Sequence, residues 1–404
     1  EGTVVVSATQ IDTFGNSGSG TLNTVKDLTA PVVTVLTAPP INATNQATYT
    51  GVSGACSESG LPVVVTIGGI ATPATACVSG AWTAPATNVS AVPEGVVAVI
   101  ATQTDAAGSS GTGSRNTTKD VTQPVVTVAT APVINVANQT TYDGVTGTCS
   151  ENGLPVSVSI GSVSVATTNC GANVWSAPVT DVSSVADGVV LVTASQTDTA
   201  GNVGSGTRNT TKDATLPLVS VTTAPPINNG NQTSYSGVTG TCSENGRPVA
   251  VSIGSIAVSP VPSCSAGAWS AGSVNASGLA DGVVTVTASQ SDIAGNIGSG
   301  SRDTLKDGGV PVVTVTTAPA INFANRLAYS GVTGSCSENG LPVNVTIGSV
   351  GASPAPICSS GGWTAPATNV SSLPDGVVVV SAAQTDAAGN VGSGTRNTTK
   401  DATL

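Results

Sequence analysis

The chain has 404 residues, a net charge of −11 and only 8% charged residues. Nucleic-acid binders need a basic face that displaces counterions, so that class is excluded, and no apolar run approaches the roughly 20 residues that cross a bilayer as a helix. His and Met are absent, aromatics are 2%, and Val, Ala, Thr, Ser and Gly dominate; low charge with many β-branched residues points to a β protein rather than a disordered one.

The sequence repeats itself. Trp82, Trp175, Trp269 and Trp363 follow one another at steps of 93, 94 and 94, and Tyr49, Tyr142, Tyr235 and Tyr329 at 93, 93 and 94. The Lys-Asp pairs beginning at Lys26, Lys119, Lys212, Lys306 and Lys400 keep the same step. Four units are expected at 31–123, 124–216, 217–310 and 311–404, preceded by the tail of a fifth at 1–30. The first residue is not Met and no apolar targeting segment follows it, so the expectation is a mature or excised piece of a longer repeat protein.

Within a unit the elements come in a fixed order. PLVSVTT (217–223) opens it as a strand. YDGVTGTCSE (142–151) is a second strand, ending near a Cys. PVSVSIGSV (155–163) alternates cleanly, with Val156, Val158 and Ile160 on one face and Ser157 and Ser159 on the other. VWSAPVTDV (174–182), GVVLVTASQTD (188–198) and GSGTRNTTKD (204–213) complete the set, separated by the turn signals ENGLP, ADG and TAGN. No segment shows a 3.6-residue period. About seven short strands per unit predict an all-β chain of tandem immunoglobulin-like β-sandwich domains forming an extended rod. The Trp, five residues after the second Cys of each unit, is expected in the core beside the disulfide.

The eight Cys fall into four pairs, Cys56 with Cys77, Cys149 with Cys170, Cys242 with Cys264 and Cys336 with Cys358, 21, 21, 22 and 22 residues apart. With no His and no CxxC, zinc is disfavoured. Each pair is expected to form a disulfide within its unit, buried free thiols being the alternative, which places the chain in an oxidising compartment outside the cell. Closing a loop of about 22 residues adds roughly 3 kcal/mol per unit in the chain-entropy view.

The order GVTGTCSENGLPVSVSI, a Trp strand, VADGVVLVTASQTDTAGN and then KDATLP resembles the bacterial Ig-like tandem repeats of giant extracellular adhesins. Those repeats read G-T-A-E-x-G-x-x-V-x-V, then L-x-D-G-x-Y-x-V-x-A-x-A-x-D-x-A-G-N, then V-D-x-T-A-P. The resemblance covers essentially the whole chain; the Cys pair and the Lys before the linker Asp depart from it. It implies extracellular rods, often stiffened by calcium where domains meet.

The acids sharpen that implication. In a sandwich of this type the B–C and F–G turns share one end. The B–C turn carries Glu58, Glu151, Glu244 and Glu338, and the F–G turn carries Asp105, Asp198, Asp292 and Asp386. The closing strand runs to the other end and finishes at Asp27, Asp120, Asp213 and Asp307, where the next unit begins. Each junction is therefore expected to gather three carboxylates, such as Asp120, Glu151 and Asp198, with Asn202 as a further oxygen donor. Three carboxylates in one place repel unless a cation joins them, and Ca2+ takes six to eight oxygen ligands in flexible geometry. The competing explanation is turn chemistry, each Asp accepting hydrogen bonds from its own turn. The acids before Gly at Glu94, Asp187, Asp281 and Asp375 are assigned to turn chemistry as well, an additional metal ligand being the alternative.

No enzyme is indicated. Without His there is no Ser-His-Asp or Cys-His relay, and Glu/Asp pairs copied in every unit suit a structural joint rather than a glycosidase. A Lys-to-Asn isopeptide cross-link at RNTTKD is disfavoured because the two are neighbours on one strand end. The sequons NVS at 88 and 369 and NTT at 116, 209 and 397 arise readily in so Asn/Thr-rich a chain. The expected function is a rigid spacer or stalk of a bacterial surface adhesin, its immediate partners being further copies of the repeat. With strands of roughly 33 Å, four units span more than roughly 100 Å. The alternative is a subunit of an extracellular filament or matrix whose rods associate laterally, since a low-charge surface leaves little to desolvate. A carbohydrate-binding module is the weakest reading.

Overall fold

The alternation in the sequence is obeyed in the computed structural model, which describes residues 1–403. Along Gly188–Thr197, Val190, Val192, Ala194 and Gln196 face inward and are buried, while Val189 and Leu191 face outward and are exposed. Among the described residues the helical turns are two short 3₁₀ segments, Gln46–Thr48 and Gln232–Ser234; the rest is strands, bridges and turns.

The chain divides into two compact units, Glu1–Asp213 and Ala214–Leu404. The first holds two hydrophobic cores, one from Val33 to Ala101 and one from Val126 to Ala194, preceded by an antiparallel hairpin of Gly2–Ile11 and Ser17–Lys26. The second holds a core from Val221 to Ala288 and another from Val313 to Ala382.

Residues 217–310 show the topology in full. Val219–Thr223, Thr239–Cys242 and Ala268–Ser270 form a three-stranded sheet in that order. Ile227–Asn228, Ile297–Asp307, Gly282–Ser291, Val249–Ile253 and Ile256–Ala257 form a five-stranded one, again in that order. Pairing is antiparallel throughout except where Ile227–Asn228 runs parallel to the closing strand. The opening segment therefore starts in one sheet and ends in the other. This is a two-sheet immunoglobulin-like sandwich. Residues 311–404 repeat it, and in 31–123 and 124–216 the opening strand is reduced to bridges such as Val126↔Cys149 and Ile134↔Lys212. Two predicted strands are much shorter than expected. YDGVTGTCSE keeps only Thr146–Thr148, and VWSAPVTDV only Val174–Ser176 plus a bridge from Thr180 to Tyr142.

The expected Cys pairing is the one observed. Cys56 is disulfide-bonded to Cys77, Cys149 to Cys170, Cys242 to Cys264 and Cys336 to Cys358. Among the described residues no Cys is free, so the alternative of buried thiols is set aside. Cys77, Cys170, Cys264 and Cys358 are each 1–2% exposed and lie within the hydrophobic core of their own sandwich. Cys149 follows a strand of the small sheet, and Cys170 follows Thr168–Asn169, which pairs with the large one, so the bond ties the sheets together. Trp175 shares that core with both Cys, and its Nε1 donates to Thr127 O and Thr148 O at 3.1 and 3.2 Å. Gly147 makes room for the ring: a Cβ there would lie 2.6 Å from the indole nitrogen and 1.8 Å from Thr127 O.

The Gly-Ser-Gly of the closing strand has the same kind of cause. The opening segment crosses directly over it, and a Cβ on Gly204 or Gly206 would fall 1.7 Å from Pro124 O or 2.3 Å from Val126 O. Only a bare backbone lets the two segments touch. Further along, Pro132 O accepts both the Tyr142 and the Thr210 hydroxyls at 2.6 Å, fixing the bend where the opening segment changes sheet. Burial pushes the Tyr142 phenol up to about 12.

Candidate functional site

Long antiparallel strands bring the F–G turn and the closing acid to opposite ends of each sandwich. Gly188 faces Lys212 and Thr197 faces Val203 across the same pair of strands. The turn is built by its own Asp. Asp198 Oδ1 accepts the N–H groups of Ala200 and Asn202, both at 2.8 Å, and Oδ2 accepts the Asn202 amide Nδ2 at 2.7 Å. Asp386 does the same with Ala388 and Asn390, at 2.9, 2.8 and 2.8 Å. Asp292 takes Asn296 N and Nδ2, and Asp105 takes the N–H groups of Ala107 and Ser109. Desolvation raises the Asp198 carboxyl, but the hydrogen bonds from Asn202, Ala200 and Gly201 outweigh it and hold Asp198 below its ordinary 3.8.

The linker acids cap their own turns too. Asp27, Asp120 and Asp307 accept the N–H two residues on, from Thr29, Thr122 and Gly309, at 2.9, 2.9 and 2.8 Å. Asp120 and Asp213 donate their own N–H groups to Ile41 O and Ile134 O at 2.9 Å. The B–C acids Glu58, Glu151, Glu244 and Glu338 each accept the hydroxyl of the preceding Ser.

Neighbouring sandwiches meet through a carboxamide. Within the first unit, Asn202 is buried with 1% of its surface exposed. Its Nδ2 donates to the linker carbonyl Asp120 O at 2.9 Å, and its Oδ1 accepts the N–H of Ala43, from the preceding sandwich, at 2.8 Å. Asn42 Nδ2 adds a bond to Ala200 O at 2.8 Å. Within the second unit, Asn390 does the same work: Nδ2 reaches Asp307 O at 2.9 Å and Oδ1 accepts Asn229 N at 2.6 Å, with Asn228 Nδ2 on Ala388 O at 2.9 Å. One side chain thus joins three segments of two sandwiches.

The expected meeting of linker acid and F–G turn therefore occurs, but through the carbonyl of Asp120 rather than its carboxylate. The trio of Asp120, Glu151 and Asp198, inside the first unit, does not converge: among the described residues no group of three or more Asp, Glu, Cys or His side chains could hold a metal ion. The residues present do not fit the expected Ca2+ centre. Asp198 is occupied by three donors, and the Asn202 amide, itself a donor, fills the place between Asp198 Oδ2 and Asp120 O. The F–G acids Asp105, Asp198, Asp292 and Asp386 accept N–H groups of their own turns, as the competing explanation expects.

Two sets of residues escaped the sequence reading. Gln103, Gln196, Gln290 and Gln384 are buried on the inner face of the long strand. Gln196 accepts Glu151 N–H at 3.2 Å and donates to Glu151 O at 2.8 Å, which clamps the B–C turn to the F–G strand; the others do likewise. A polar residue at an inward position in every copy was the available signal, because a buried amide needs partners. The second set is the closing Lys. Lys119, Lys212, Lys306 and Lys400 are 4–6% exposed. Lys212, Lys306 and Lys400 pair with Asp187, Asp281 and Asp375 at 3.0, 2.7 and 3.2 Å, so those acids, assigned from the sequence to turn chemistry, hold a buried ammonium, and Asp281 and Asp375 also accept the N–H groups of Gly308 and Ala402 just past the closing strand. In 31–123 the acid is Glu94, which takes Val121 N instead, and Lys119 rests on the carbonyls of Val89, Ser90 and Val92.

No family model and no curated protein matches the chain. Solved structures do. A tetra-tandem repeat from the extending region of a large adhesion protein is 25% identical over 93% of this chain and all of that one, with a TM-score of 0.37. A Ca2+-stabilized adhesin that helps an Antarctic bacterium reach out and bind ice is 24% identical over 93% of this chain and all of that one, with a TM-score of 0.38. A three-immunoglobulin segment of titin is 11% identical over 70% of this chain and 99% of that one, at 0.40. The chain is thus similar to tandem repeats of large bacterial adhesins, and its assignment as an immunoglobulin-like sandwich rests on the strand order itself.

Proposed function

We propose that the chain is a non-enzymatic extracellular spacer in a bacterial surface adhesin. Its repeats, 31–123, 124–216, 217–310 and 311–404, act as disulfide-tied modules, and within each compact unit a buried carboxamide, Asn202 or Asn390, fixes one module to the next. The observation that carries this reading is the paired joint at Asn202 and Asn390, where the same side chain makes the same contacts in both units. Identical joints in series are what a spacer needs, whereas a catalytic centre has no use for such copies. Four disulfides, with no free Cys among the described residues, fit an extracellular location.

The test is mechanical. Stretching the purified chain between its ends gives discrete unfolding events, one per module. With the disulfides closed, the loop between the two Cys of each pair, which stand 21 or 22 positions apart, stays hidden; reduction lengthens each event by about 70 Å, from about 3.3–3.6 Å per extended residue. A single smooth extension, or no change on reduction, sinks the modular spacer.

A second reading, lateral association into a filament, draws on one observation. In 124–216 the outward positions of the large sheet are Ser157, Ser159, Val189, Leu191, Thr193, Ser205, Thr207 and Asn209, without a charge among them. Sedimentation velocity at rising concentration separates the two: a constant monomer favours the spacer, and progressive growth favours the filament.

A further inference from the structure

The turn at 105–109 ends in Ser109, where the corresponding turns end in Asn16, Asn202, Asn296 and Asn390. In Asp12, Asp198, Asp292 and Asp386, Oδ2 accepts the Asn amide at 3.0, 2.7, 2.7 and 2.8 Å. In Asp105, Oδ1 keeps its two backbone donors, yet Oδ2 is buried with no hydrogen-bond partner. The Ser109 hydroxyl points the other way and reaches the linker carbonyl Asp27 O at only 3.4 Å, against 2.9 Å for Asn202 and Asn390 on Asp120 O and Asp307 O.

We propose that the last residue of this turn sets how firmly neighbouring modules are joined, and that Ser109 makes the joint at Asp27 a built-in hinge. The reason is a count of donors. A carboxamide has two N–H donors and an acceptor, enough to serve the turn carboxylate, the linker carbonyl and the neighbouring loop together. A hydroxyl has one donor. It can serve the carbonyl or the carboxylate, and the structure shows it serving the carbonyl poorly and the carboxylate not at all. Asn202, Asn390 and Ser109 are positioning residues in this scheme: they touch the linker backbone and decide its freedom.

This rests on the spacer reading, and the experiment separates the two. Amide hydrogen exchange is followed by mass spectrometry on the full chain, comparing the linker segments 27–31, 120–124 and 307–311 in the parent and in Ser109→Asn, Asn202→Ser and Asn390→Ser. Asn202→Ser is expected to fold, because the module 31–123 already folds around a Ser at this place; Asn390→Ser repeats the test in the second unit. Ser109→Asn is expected to slow exchange in 27–31 about fivefold, and the two Asn→Ser changes to speed 120–124 and 307–311 by about the same factor, the ratio that one ordinary hydrogen bond commands. If Ser109→Asn leaves 27–31 unchanged while Asn202→Ser loosens 120–124, the hinge is refuted and the carboxamide joint stands. If neither Asn→Ser change alters its linker, hinge and joint fall together.

Discussion

A methyl group is enough to test the packing. Gly206 sits under the opening segment with no space for a Cβ, since the atom would lie 2.3 Å from Val126 O and 2.8 Å from Thr127 Cα. Gly206→Ala forces either the opening segment or the closing strand to move. Overpacking of this kind costs about 1–3 kcal/mol or more, and the melting transition of its module is expected to fall by several degrees; Ser205→Ala, next to it and facing solvent, leaves the transition in place. Asp198 makes a pH-dependent contribution. Its folded pKa lies below the ordinary 3.8, so its stabilisation is complete above the unfolded value and is lost as pH falls through the lower, folded one. Thermal melts of the parent and of Asp198→Asn, run from neutral pH down to about 2, are expected to differ most at neutral pH and to converge below the ordinary carboxylate range. A difference that stays constant with pH removes the titration argument.

Strands were legible where side chains alternate over a long reach. Gly188–Thr197 and Val203–Lys212 match the predicted stretches almost residue for residue, because the period of two is unbroken and an Asp-x-x-Gly-Asn turn separates them. The short strands were not, since Thr146–Thr148 and Val174–Ser176 are defined by their pairing with each other and by bridges such as Thr130↔Thr146, partners far along the chain that no local pattern reveals. The joint was legible as a place but not as a chemistry. Acid spacing located the meeting of linker and turn, yet carboxylates draw attention and carboxamides do not, so Asn202 was weighed as an accessory. The Lys pairs were hidden for another reason. Asp281 and Lys306 are 25 residues apart, and only the strand register, with Gly282 opposite Lys306, puts them together. Their pairing makes its own forecast. Asp281 Oδ1 holds Lys306 Nζ at 2.7 Å and Gly308 N at 2.9 Å, and the hydrogen bond from Lys306, followed by that from Gly308, holds its carboxyl below the usual range. Asp281→Ala leaves a buried ammonium without its partner and is expected to cost more stability than the double change Asp281→Ala/Lys306→Met, which removes the charge altogether. Denaturant midpoints of the three proteins decide it: a double variant weaker than the single one overturns the argument.

For the chain as a whole, the issue is what keeps its acids apart in free energy if not in space. With 22 Asp and Glu against 11 Lys and Arg, repulsion between carboxylates was the reason to expect a cation at every junction. The fold answers the repulsion locally instead. Turn acids such as Asp198 and Asp386 are met by backbone N–H groups, linker acids such as Asp120 and Asp307 by the N–H two residues on, and the joint itself is closed by a neutral amide. Hydrogen bonds between neutral groups do not depend on an added ion, and they are screened little by salt, in contrast to exposed ion pairs. The melting midpoint of the chain is therefore expected to be the same, within about a degree, in excess chelator and in millimolar Ca2+, where a stabilising site filled at about 100 times its Kd would add about 2.7 kcal/mol and move the midpoint by several degrees. The same comparison at linkers 120–124 and 307–311 by hydrogen exchange locates any effect. A rise in midpoint with Ca2+, accompanied by protection of those linkers, would mean that Asp120 and Asp307 turn their carboxylates inward to bind it, and that the Asn202 and Asn390 amides give way; no change in either measurement leaves the carboxamide as the joint.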